Sequence, residues 1–155
     1  ELLTRLGILD GVGENHFAPE QKATRAEMAA ILVRLGQLPA GEPGRQSFVD
    51  SGPEDTWAWA EIEALTQAGI TDGTGDYCFS PGRLLTRAET AAFLTRMLRY
   101  KLDLSQDGLI YPTDVEESYW AWAEILRAVN GVTRPLPVEQ GPFRPKSRQD
   151  TRKYM

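Results

Sequence analysis

Residues 7–35 read GILDGVGENHFAPEQKATRAEMAAILVRL, and residues 69–97 read GITDGTGDYCFSPGRLLTRAETAAFLTRM. Aligned without a gap, roughly half of the positions are identical, and the matches fall on Gly, Phe, Pro, Thr, Arg, Glu and an apolar stripe. A repeat changes the meaning of every element inside it, so the chain is read as copies of one unit. A third copy emerges further on. WAWAEIEALTQAGIT, from Trp57 to Thr71, matches WAWAEILRAVNGVT, from Trp120 to Thr133, with one residue deleted. Phe143 to Pro145 then corresponds to Phe79 to Pro81, and Thr151 to Met155 corresponds loosely to Thr24 to Met28. The period is about 62 residues.

The unit is a Trp-started helix, a Gly-rich loop, Phe-x-Pro, and a second helix opening with Thr-Arg. We place repeat 1 at residues 1–38, repeat 2 at 46–100 and repeat 3 at 110–155, with linkers near Pro39 to Gln46 and Lys101 to Leu109. Repeat 1 lacks its start, because Glu1 to Leu6 reads as the last turns of a first helix; repeat 3 is divergent and stops at the first turn of its second helix. The chain begins at Glu1 rather than Met, which reads as an internal fragment.

In repeat 2 the spacing of Ala58, Ile62, Leu65 and Gly69 predicts an amphipathic helix over Trp57 to Ala68. Asp55 or Thr56 is expected to cap its start, and Gly69 its end. The second helix is expected from Arg87 to about Leu98, with Ala91, Leu94, Met97 and Leu98 inward and Phe93 broadening the stripe. Thr86-Arg87-Ala88-Glu89 and Thr24-Arg25-Ala26-Glu27 are Ser/Thr-x-x-Glu capping boxes, in which hydroxyl and carboxylate each satisfy an orphan backbone N–H. Thr24, Glu27, Thr86 and Glu89 are thus explained locally.

The arginine between them is not. A cation at the first helical position faces the positive end of the helix dipole, which is mildly unfavourable. Yet Arg25, Arg87 and Arg152 occupy that place in every copy. With free backbone N–H groups beside it, such an arginine suits a carboxylate or phosphate. A structural bridge to a carboxylate such as Asp50 or Asp114 explains it equally well on sequence physics alone.

Composition bounds the function classes. The chain has 155 residues, 41% of them hydrophobic and 25% charged, an ordinary globular balance. Lys and Arg number 17 against 22 Asp and Glu, a net charge of −5, which argues against a broad grip on nucleic acid or an anionic membrane. No apolar run approaches the roughly 18 residues of a membrane span. Cys78 is the single cysteine and His16 the single histidine, here a solvated loop residue, so no metal or cofactor site is expected. The Asp72 to Asp76 loop, with Asp10, Glu14 and Asn15 in repeat 1, lacks the ligand spacing of a calcium loop. Gly11-Val12-Gly13 lacks the third glycine of a dinucleotide fingerprint. The carboxylate pairs Glu61/Glu63 and Glu116/Glu117 do not face one another on a helix, which leaves no support for an enzyme. A self-assembly surface built on Trp57, Trp59, Trp120 and Trp122 is the competing idea.

Phe48-Val49-Asp50, Trp57 to Ile62, Gly69 to Gly73, Phe79 to Pro81 and Thr86 to Glu89 together resemble the S-layer homology domain, and the resemblance covers nearly the whole chain. It implies an all-α fold of tandem helix–loop–helix repeats about a pseudo-threefold axis. It also implies a non-catalytic module that tethers a larger protein to the bacterial envelope, outside the cell, by binding anionic, pyruvylated secondary cell-wall polysaccharide linked to peptidoglycan. Self-association in a surface layer is a further implied partnership; nucleic acid and membrane insertion are not. By matching position, Arg25 and Arg87 are the leading ligand candidates, and Arg152 follows although Tyr154 replaces its capping-box Glu. Trp57 and Trp120 would offer apolar faces to sugar C–H groups, Asp50 and Asp114 would accept hydroxyls or orient an arginine, and Gly11 and Gly73 would let backbone approach the ligand or simply serve a tight turn.

Overall fold

The computed structural model describes residues 2–13, 16–99 and 108–131. Among the described residues there are five helices and no strands: α1 (Leu2–Arg5), α2 (Arg25–Gly36), α3 (Trp59–Gln67), α4 (Arg87–Met97) and α5 (Trp122–Asn130). The fold is all-α.

The helix ends repeat as the sequence does. Gly69 takes φ +69° after α3, its N–H bonding Thr66 O at 3.0 Å, and the Ile70 N–H reaches Leu65 O at 2.9 Å. Gly7 repeats this after α1, with φ +67°, a bond to Thr4 O at 3.0 Å and Ile8 to Leu3 O at 2.9 Å. These are Schellman endings, in which a left-handed residue lets the chain cap its own last carbonyls. α1 is therefore the counterpart of the end of α3.

The start of α3 differs from the expected Trp57. Ala58 is the N-cap, without a side-chain hydrogen bond, while Thr56 Oγ1 accepts the Ala58 N–H at 3.3 Å and Asp55 is turned back onto the Gly52 N–H at 3.0 Å. The two polar residues shape the preceding turn, so the helix begins after the first Trp and leaves Trp57 exposed.

Packing crosses the repeat boundaries. α2 of repeat 1 lies on α3 of repeat 2, and α4 of repeat 2 lies on α5 of repeat 3. One core gathers Ala29 and Leu32 from α2, Ile62 and Leu65 from α3, and Phe93 and Met97 from α4 around the loop rings Phe48 and Phe79, whose centroids are 5.7 Å apart. Each such fully buried side chain contributes about 1.5–3 kcal/mol. The inward face of α4 is Glu89, Ala92, Phe93 and Met97, whereas Leu94 and Leu98 are exposed, so the face is rotated from the expected stripe. Glu89 on that face pairs with Arg25 of repeat 1 at 2.9 Å. The Pro39 to Gln46 linker is not loose either: Gly41 is buried against α3 and donates to Ala60 O at 3.1 Å. Residues 101–107 of the second linker lie outside the described residues.

Candidate ligand-binding grooves

Both capping boxes are formed: Thr24 accepts from the Glu27 N–H and Thr86 from the Glu89 N–H, and each glutamate accepts its N-cap N–H in return. The remaining N–H groups at the start of α2 are taken as well. Arg25 N donates to Arg83 O at 2.9 Å, and Ala26 N to Pro81 O at 3.0 Å. The helix start therefore has no backbone donors left for an anion, contrary to the expectation of free N–H groups. Carbonyls of the repeat 2 loop occupy them.

What remains is the guanidinium. Arg25 is only 2% exposed and reaches into repeat 2. Its Nε donates to Phe79 O at 2.7 Å, its Nη1 pairs with Glu89 Oε1 at 2.9 Å, and the group lies 4.5 Å from the Phe79 ring and 5.2 Å from that of Phe93. The partner is Glu89, not Asp50 or Asp114. Nη2 is buried and has no hydrogen-bond partner among the described residues. A buried unpaired donor costs about 1–3 kcal/mol.

Burial pulls the Arg25 pKa below arginine's ordinary value, with Arg83 adding to the effect and Glu89 and Asp50 opposing it. For Glu89, burial acts to raise the pKa, but hydrogen bonds from the Thr86 backbone, Arg83 and the Thr86 hydroxyl, together with the charge of Arg25, outweigh it and hold the carboxyl below its ordinary range. One carboxylate thus faces two guanidinium groups, because Arg83 also bonds Glu89 through both of its Nη atoms.

Among the described residues, three grooves lie along these helices, and the first of them holds Arg25, Arg83 and Glu89. The first, about 410 Å³, brings together Arg25, Gly73, Arg83, Glu89, Arg96 and Trp120, with the Thr71 to Thr74 loop as its floor. Gly73 sits at φ +84°, where a Cβ would meet both the Phe48 ring and the Cys78 carbonyl at 2.5 Å. Only glycine fits that floor. The second groove, about 990 Å³, holds Arg87, Asp114 and Trp120 between α4 and the segment before α5. Arg87 is exposed there, unlike Arg25. The third, about 630 Å³, holds Gly11, Glu27 and Arg34 with Trp57 at its rim.

Asp50 lines none of them. Its two oxygens accept the Phe79 and Ser80 N–H groups at 2.7 and 2.8 Å, which fixes the turn that presents Phe79 O to Arg25. Arg152 lies outside the described residues. Glu63, weighed above for catalysis, is fully buried and bonds Ser47 N and Oγ at 2.6 and 2.8 Å.

Arg83 and Arg96 were not singled out from sequence, nor was Asp72 except as the start of a rejected calcium loop. For the last two a signal exists: Arg96 pairs with Asp72 at 3.2 Å, and Arg34 pairs with Asp10 at 2.7 Å, the same pair one repeat apart. Among the described residues no cluster of three His, Cys, Asp or Glu gathers to hold a metal ion.

Helix pairs that interlock across repeat boundaries, with a groove at each junction, define a tandem helical repeat protein. The family model of the S-layer homology domain matches residues 1–29 and 47–91, and the chain belongs to that family. It is 31% identical over 132 residues to a cellulosome-anchoring protein of Acetivibrio thermocellus, covering 82% of this chain and 28% of that protein. It is 32% identical over 106 residues to the S-layer protein sap of Bacillus anthracis, covering 68% of this chain and 12% of that protein. An amylopullulanase of Thermoanaerobacterium thermosulfurigenes is 32% identical over 102 residues, 63% of this chain and 5% of the enzyme. The chain thus spans less than a third of each of these relatives. Family and relatives locate it at the cell envelope or surface. Among the described residues no helix is long and apolar enough to cross a membrane.

Proposed function

We propose that the chain is a non-catalytic anchoring module that binds an anionic secondary cell-wall polysaccharide and so tethers a larger protein to the envelope. The observation that carries this is the buried Arg25 guanidinium, which lines the first groove with its Nη2 unpaired. A carboxylate on the glycan, such as that of a pyruvate ketal, is the anion that this charge attracts, while Trp120 offers its face to sugar C–H groups. Arg87 with Asp114 forms a second, wider contact, and Arg152, by its place in the repeat, belongs to the same set.

The test is a pull-down on purified sacculi with and without their polysaccharide. Wild type is expected to bind only the polysaccharide-bearing form. Arg25→Lys keeps a charge for Glu89 but loses the Nε bond to Phe79 O and the second Nη donor, and is expected to weaken binding at least tenfold; its thermal melting, followed in parallel, separates that loss from unfolding. Binding that ignores the polysaccharide would sink the anchor. The exposed Trp57 and Phe17, 62% and 61% accessible, favour a second reading, a protein or self-assembly surface. Loss of binding from Trp57→Ala with Arg25→Lys silent would promote it.

A further inference from the structure

Tyr119 and Trp120 line both the first groove and the second. The first turn of α4 is divided between the same two: Thr86 and Glu89 belong to the first groove, Arg87 and Ala88 to the second. The grooves therefore meet along two common borders, a helix start and an aromatic pair. The third groove shares no lining residue with either and stands apart. At about 410 and 990 Å³, each of the joined grooves is as large as a site for a drug-sized ligand, so the pair has room for more than one sugar.

The aromatic pair is particular to this junction. Trp57 and Trp120 open successive repeats, but the residue before them changes from Thr56 to Tyr119. Thr56 has a local task, since its Oγ1 accepts the Ala58 N–H at 3.3 Å. Tyr119 has no such hydroxyl beside the backbone, and the turn is held instead by its carbonyl, which accepts the Trp122 N–H at 2.9 Å. The ring is then left for another use. Its centroid lies 5.8 Å from that of Trp120 at an interplanar angle of 45°, and the two residues are 42% and 55% exposed. Two such rings form a ridge of apolar faces of the kind on which sugar C–H groups rest. The arginines nearby all have carboxylates for company: Glu89, Asp72 and Glu124 in the first groove, Asp114 and Glu116 in the second. An acidic sugar thus finds a local contact and no broad positive field, and stacking along the chain has to supply the remaining affinity.

We propose that a single glycan chain lies across both grooves, with Tyr119 and Trp120 as the ridge beneath its middle sugar, so that the ligand is a stretch of several linked sugars and not one sugar alone. This rests on the glycan-binding reading above. It assigns Tyr119, a residue outside the repeated motifs, the task of joining two contacts into one. Once the first contact is made, the second is intramolecular, and affinity then grows with the length of the ligand.

The test titrates the protein with oligosaccharides released from the native polysaccharide and sized into fractions of one, two, three and four repeat units, with calorimetry reading affinity and stoichiometry. Affinity is expected to rise at least tenfold once a fragment reaches both grooves, with one such fragment bound per protein. Tyr119→Thr, which installs the residue of repeat 2, should cancel that gain and leave the affinity for the shortest fragment within about twofold. Its thermal melting is followed in parallel; if it melts early, the length series and stoichiometry of wild type decide. Wild-type affinity that does not change with length, or two of the longest fragments on each protein, overturns the shared path and leaves the glycan anchor standing. A folded Tyr119→Thr protein that keeps the whole gain overturns the role of Tyr119. Absence of binding at every length overturns the proposal together with the reading beneath it.

Discussion

Arg25 and Arg87 hold the same place in the same four-residue motif, yet one is buried and the other exposed. The difference lies in what each side chain meets. Arg25 has a carboxylate, a carbonyl and two rings around it, so Arg25→Ala leaves Glu89 with one cation fewer and opens space between Phe79 and Phe93. Removing one member of such a buried pair costs about 3 kcal/mol. Arg87→Ala should change stability by less than about 0.5 kcal/mol. Urea unfolding of the two variants checks this, and equal losses would mean that Arg25 is not a structural link. Glu89 adds a pH dependence of known sign. Its carboxyl is depressed in the folded chain, so it contributes stability that is fully present above the unfolded value near 4.5 and lost as pH falls through the lower folded value. Unfolding free energy followed from pH 6 to pH 3 should therefore drop below about pH 4.5, and Glu89→Gln should flatten that drop. The pair itself was not legible in the sequence. Glu89 is already satisfied inside its own helix by the capping box, and nothing local announces a second partner 64 residues away.

At the scale of the element, the two long second helices were readable because their starts are chemically explicit: a Thr hydroxyl, a Glu carboxylate and a helical apolar stripe agree. The first helix was less so. Its N-cap is Ala58, a residue with nothing to cap with, and the polar residues before it are engaged in a turn. The face of α4 was misjudged for a related reason, since periodicity reports one buried face and α4 has neighbours on two sides. Repeat alignment recovers more than periodicity does, as the Arg34–Asp10 and Arg96–Asp72 pairs show. The loop floor offers a clean check. Gly73→Ala places a Cβ against the Phe48 ring and the Cys78 carbonyl at positive φ, and should cost about 2 kcal/mol or more. Gly82→Ala, nine residues on, meets open space and should be neutral or slightly stabilising. Thermal denaturation of the pair decides whether the floor is as rigid as its contacts imply.

Across the whole molecule, the sequence repeat and the packing unit are out of step. Among the described residues, α2 and α4 each lie on the first helix of the next copy, so the 62-residue period describes the chain and the junction describes the fold. Under the anchoring role proposed above, the carbonyls of Pro81 and Arg83 that close the start of α2 have a mechanical meaning. A pull applied between the two ends loads repeat 1 and repeat 2 through a staple of backbone bonds and one ion pair, rather than through a linker that pays out freely. Stretched by optical tweezers, the described repeats should yield in a single rupture instead of a staircase of separate repeats. Arg25→Ala should lower the force of that rupture and split it in two.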